Sequence, residues 1–103
     1  MEDFKTIYKI LKIFQKAMDY EEFDISEISA ENLKISEPRW SCLIEMLVKE
    51  EYVQGITVKR SVSNHVFVNF SNPRITLKGL EYLNENSLMK KAANLAKGIR
   101  EMI

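Results

Sequence analysis

The spacing of hydrophobic positions divides the chain into helical and extended segments. Phe4, Ile7, Tyr8, Leu11, Phe14 and Met18 recur at intervals of three and four, which predicts an amphipathic helix with these residues on one face. Lys5, Lys9, Lys12 and Lys16 fill the opposite face and read as solvated surface. In EEFDIS (21–26), Phe23 and Ile25 alternate with polar residues and predict a short strand. ISAENLKIS (28–36) reads differently. Ser29 is a helix N-cap for a short helix from Ala30 to Leu33, Lys34 and Ile35 make a tight turn, and Ser36 is a second N-cap. Pro38 then falls in the first turn of the next helix, where its missing N–H costs little.

Trp40, Leu43, Ile44, Leu47 and Val48 form the stripe of that longer helix, which should end near Glu51. VQGITVKRS (53–61) and HVFVNF (65–70) are rich in β-branched and aromatic residues, and Ser61-Val62-Ser63-Asn64 between them suits a hairpin tip. Asn72-Pro73 is expected to end the second strand. Thr76 should cap a further helix with Leu77, Leu80, Tyr82 and Leu83 on its face, and Gly79 in its first turn allows close approach to a strand. Asn84-Glu85-Asn86 interrupts the pattern, and Ser87 opens a last helix striped with Leu88, Ala92, Leu95, Ala96 and Ile99.

A capped short helix, a tight turn, a longer helix and then a hairpin is the order of a winged helix-turn-helix, an α+β fold. The segment 23–25 would supply the third strand of its sheet, and the helix beginning at Thr76 would cover the sheet's open side. The expected organisation is a winged-helix domain over 1–86 and a C-terminal helix over 87–103, packed on that domain or at an oligomer interface. Lys34 stands where such turns often carry glycine, and a positive φ there would cost up to about 1 kcal/mol.

ISAENLKISEPRW and NPRITLKGLEYLNENSLMKKAANLAKGI resemble the YjcQ family of small proteins from Gram-positive bacteria and their phages, and the similarity spans almost the whole chain. The resemblance implies a winged-helix-like fold and a bacterial or prophage setting. It implies no catalytic or binding residues.

Composition narrows the function. The chain has 103 residues, enough for one small domain with one core. Its single cysteine, Cys42, excludes an internal disulfide and suits a reducing cytoplasm. No apolar run approaches the ~18 residues of a membrane span, and MEDFKTIYKI is unlike a signal peptide. One histidine, one cysteine and three glycines supply no metal cluster, phosphate loop or nucleophile–base pair, so neither catalysis nor a cofactor is expected.

Formal net charge is zero, yet local sums over 1–20, 21–51, 52–80 and 81–103 are +1, −6, +4 and +1. An anionic partner should prefer the third of these segments. Two functions follow. A small regulator would bind double-stranded DNA mainly through the wing, using Lys59 and Arg60, with Arg39 at the helix start and Arg74 and Lys78 at a helix N-terminus. Alternatively, a non-catalytic module would bind protein through the outer helix face of Pro38, Cys42, Glu45, Met46 and Lys49, which is mildly apolar and offers mainly a glutamate and weakly polar groups where a base-reading helix offers several Arg, Lys, Asn or Gln side chains. Monomer and homodimer through the last helix are both consistent with the pattern.

Overall fold

A computed structural model describes residues 2–86 of the chain. The fold is α+β. Helices α1 (Glu2–Lys16), α2 (Ala30–Leu33) and α3 (Glu37–Lys49) precede an antiparallel hairpin of β1 (Val53–Arg60) and β2 (Val66–Ile75). Helix α4 follows over 77–86. Single 3-10 turns occupy Ala17–Asp19 and Ile25–Ile28. The C-terminal helix expected over 87–103 lies outside the described residues.

Local chemistry sets the α2–α3 corner as expected. The Ser29 hydroxyl accepts from the Asn32 N–H at 3.1 Å, and the Ser36 hydroxyl from the Arg39 N–H at 3.2 Å. Between them Lys34 adopts φ 60 and ψ 44. The Ile35 N–H reaches back to the Ala30 carbonyl, closing the left-handed turn that ends α2. Lysine therefore occupies a glycine-type conformation. From α3, Leu43, Ile44 and Leu47 are buried, and Ile44 and Leu47 join Ile10, Leu11 and Phe14 of α1 and Val53, Ile56 and Ile75 of the sheet in one cluster.

The buried face of α1 differs from the expected stripe. Ile10, Leu11 and Phe14 are buried, whereas Phe4 is 59 % and Met18 53 % exposed. The helix tightens into a 3-10 turn at Ala17, so Met18 leaves the α-helical phase that its spacing assumed. Ala17 is buried instead.

The strand expected at 23–25 does not form, and the sheet has two strands. The Asp24 carboxylate accepts from both the N–H and the hydroxyl of Ser26, at 3.1 and 2.6 Å, and so closes a turn that holds Ile25 in 3-10 geometry. Phe23 meanwhile packs edge-on against Phe14, with ring centroids 4.5 Å apart.

Strand β2 also outruns its expected end. It passes through Asn72-Pro73 to Ile75, so the short extended piece before α4 pairs with Val53 and Gln54. A bulge lies between Gln54 and Ile56, which face Arg74 and Phe70 respectively. Proline is admissible there because a bulge needs no ladder N–H from it. Gly55 has φ +79, and a Cβ on it would lie 2.6 Å from the Asn72 carbonyl oxygen. Gly79, in the first turn of α4, sits so close to the Tyr52 carbonyl that a Cβ would overlap it. Thr76 secures that junction by accepting from the Gly79 N–H at 3.1 Å and donating to the Glu51 carbonyl at 2.6 Å.

Gly55→Ala and Gly79→Ala should each lower stability in urea by about 1–3 kcal/mol, through overpacking against backbone that cannot yield, whereas Lys34→Gly should raise it by up to about 1 kcal/mol. Burial, and then the facing Tyr52 ring, raise the Tyr82 phenol above its ordinary value. A raised folded value means a contribution present below the unfolded phenol pKa, about 10, and lost as pH rises through the folded one. An alkaline fall in melting temperature that disappears in Tyr82→Phe would verify this.

Candidate interaction surface

Helix α3 and the hairpin meet in an open V. Between them runs a groove of about 530 Å³. Its helical wall is formed by the first two turns of α3, with Pro38, Trp40 and Cys42. Its other wall is Arg60 and every residue from 64 to 68. Trp40 is half-buried rather than enclosed. Its indole N–H donates to the Ile28 carbonyl at 2.6 Å, and its ring lies 6.3 Å from that of Phe70. That bond fixes the indole as a rigid wall.

The hairpin tip is equally defined. A three-residue loop, 62–64, is closed by the Asn64 N–H to the Ser61 carbonyl at 2.9 Å and the Ser61 N–H to the His65 carbonyl at 2.8 Å. Asn64 takes the positive φ of 68 that this loop requires. On the outer surface His65 sits edge-on to Phe67 at 4.7 Å, and Phe67 remains 53 % exposed.

Four of the five cations expected to meet DNA are engaged within the chain. Arg39 pairs with Asp3 of α1. Arg60 pairs with Glu45 of α3 at 2.7 Å. Lys78 lies 5.9 Å from the centre of the Tyr52 ring. Arg74 is not paired with Lys78 around a helix N-terminus. Its guanidinium donates to the carbonyls of Ala17 at 2.8 Å and Tyr20 at 3.0 Å, and to that of Glu21. These carbonyls lie at the end of α1 and just beyond it, where a cation is favoured by the helix dipole. Lys59 alone of the five has no partner among the described residues.

The outer face of α3 is disposed as its periodicity implies. Pro38, Cys42, Met46 and Lys49 are exposed and Glu45 is half-exposed beneath Arg60. Its first two turns lead directly into the groove. A second cleft of about 660 Å³, beside the end of α1, is rimmed by Asp19, Glu22, Asp24 and Glu27. Among the described residues no group of three or more His, Cys, Asp or Glu is arranged to hold a metal ion. None of their helices is long and apolar enough to cross a membrane.

The model of the YjcQ family, described as YjcQ protein, matches residues 8–102. The chain belongs to the YjcQ family. The comparisons with curated proteins and with solved structures found no match.

Sequence reasoning missed two features of this YjcQ-family surface. One is Phe67, an exposed aromatic hidden within a strand pattern. The other is the groove wall at 64–68, legible only as HVFVNF, a strand with neither an acidic residue, a lysine or arginine, nor a proline. Arg74 generates a test: Arg74→Lys cannot reach three carbonyls in one plane, so it should lose about 1–3 kcal/mol of stability. Chemical denaturation measures this, and an unchanged midpoint would mean that the three bonds are dispensable.

Proposed function

We propose that this chain is a winged-helix module that binds a protein partner, without catalysis, through the groove between α3 and the hairpin. The winged-helix reading is supported by the capped α2–turn–α3 corner and the hairpin that follows α3 directly. The protein-binding reading rests on one observation. Apolar walls at Pro38, Trp40, Val66 and Val68 flank one cation, Arg60, which the chain itself neutralises. A surface built for phosphate leaves its cations unpaired, because affinity comes from releasing counterions along the nucleic acid. Here Glu45 accompanies Arg60, and Glu37 stands at the groove mouth.

DNA binding through the wing is the second reading, favoured by unpaired Lys59. The Arg60–Glu45 pair is also partly exposed, at 44 % and 24 %, and such pairs are worth only about 0–1 kcal/mol, so phosphate can displace the carboxylate. Titrating a short duplex at low salt separates the two. The protein-binding module shows no saturable duplex binding, and selection from displayed random peptides yields ligands whose affinity falls at least tenfold in Cys42→Glu or Pro38→Glu. A wing-based DNA binder instead gives a slope of log K on log salt of roughly −3 to −4, flattened by about two when Lys59 and Arg60 become alanine.

A further inference from the structure

Strand β2 is an edge strand, and no strand among the described residues pairs with its outer side. The register settles which backbone groups it shows. Ser61 and His65 form a hydrogen-bonded pair, so in this antiparallel ladder Lys59–Phe67 and Thr57–Asn69 do too. The alternate pairs, Arg60–Val66, Val58–Val68 and Ile56–Phe70, direct their N–H and C=O groups outward. Val66, Val68 and Phe70 therefore present a row of free donors and acceptors on the side away from β1. The strand expected at 23–25 does not join the sheet, since those residues enter the Asp24 turn.

This edge and the groove coincide. Successive side chains of a strand point to opposite faces, so a cavity over one face touches alternate residues. The groove touches each of residues 64 to 68, and on β1 only Arg60. It thus follows the outer margin of β2. Open edges are ordinarily blunted by lysine, proline or a bulge. Residues 66–70, Val-Phe-Val-Asn-Phe, contain no charge and no proline, and their bulge comes only after them. Strand β1 carries Lys59 and Arg60.

We infer that this slot accepts an extended peptide segment of a partner protein, which adds to β2 as the third strand of the sheet while its side chains pack against Trp40 and Pro38. The inference rests on the protein-binding reading and specifies its mode. The occupant is a single strand, because α3 walls the slot and a cavity of about 530 Å³ holds a segment of a few residues; pairing along 66–70 needs about five. Backbone hydrogen bonds supply affinity, and alternate side chains supply selectivity. Charge specifies one further position. Arg60 is neutralised by Glu45, whereas Glu37 at the groove mouth meets no cation among the described residues. The segment is therefore apolar and β-branched or aromatic where it faces Trp40, with a lysine or arginine at the Glu37 end.

The test uses the full chain and peptides selected from a displayed random library. In the free protein the amides of Val68 and Phe70 should exchange quickly and those of Phe67 and Asn69 slowly; bound peptide should slow the first pair. Val66→Pro removes an outward N–H at the first residue of a strand, where proline is tolerated, and should weaken selected peptides about tenfold with the melting temperature nearly unchanged. Glu37→Lys should shift selection away from basic peptides. Protected Val68 and Phe70 amides in the free protein would overturn the proposal, as would selection yielding no ligand. Peptides that bind Val66→Pro normally but lose affinity in Cys42→Glu would overturn strand addition and leave the protein-binding reading standing. Saturable duplex binding with no selected peptide would remove both.

Discussion

The guanidinium of Arg74 is the constraint on which this arrangement depends. It binds the carbonyls of Ala17, Tyr20 and Glu21, and so joins the end of β2 to the chain leaving α1. In a three-stranded sheet that connection would be a backbone ladder. One side chain replaces it here, at the C-terminal end of the α1 segment, where its positive charge complements the helix dipole. Residues 20–28 are then free to follow their own side-chain chemistry, with the Asp24 turn and Phe23 on Phe14, rather than the register of a strand.

Close backbone approaches carry that anchor to the rest of the fold. Gly55 permits the bulge that turns the end of β2 toward α1, and Gly79 lets α4 start against the Tyr52 carbonyl. Both are tight enough that no side chain fits without moving main chain. Between these fixed points the buried residues of α1, α3 and the sheet form one cluster. The distal half of the hairpin projects from it beside α3, and the groove is the space they enclose.

Charge is matched at short range. The acidic stretch containing α2 and α3 and the basic hairpin are neighbours in space as well as in sequence, and Arg60–Glu45 is where they meet. Arg39–Asp3 does the same between α3 and α1. A formal net charge of zero thus conceals internal pairing, not an absence of charged surface. Lys59 and Glu37 stay without an opposite charge among the described residues, while the groove walls at Pro38, Trp40, Val66 and Val68 are apolar, which suits a peptide better than a phosphate chain.

Local signals were readable in advance. The caps at Ser29, Ser36 and Thr76, the left-handed Lys34, the hairpin tip and the role of Gly79 depend on residues a few positions apart, and those interactions are written in sequence. So was the exposed face of α3, because helical periodicity is a local rule. The sequence by itself determined these elements, their order and, through its resemblance, the family. Tertiary structure decided the rest. Phe23 and Ile25 alternate like a strand, but strand pairing needs a partner at the right distance, and Arg74 from 53 or more positions away filled that role with its side chain. The fates of Arg39, Arg60 and Lys78 were likewise hidden, since a cation looks the same in sequence whether it faces solvent, a carboxylate or an aromatic ring. The open edge of β2 arises from both causes together: a local pattern that makes a strand, and a distant contact that removes its neighbour.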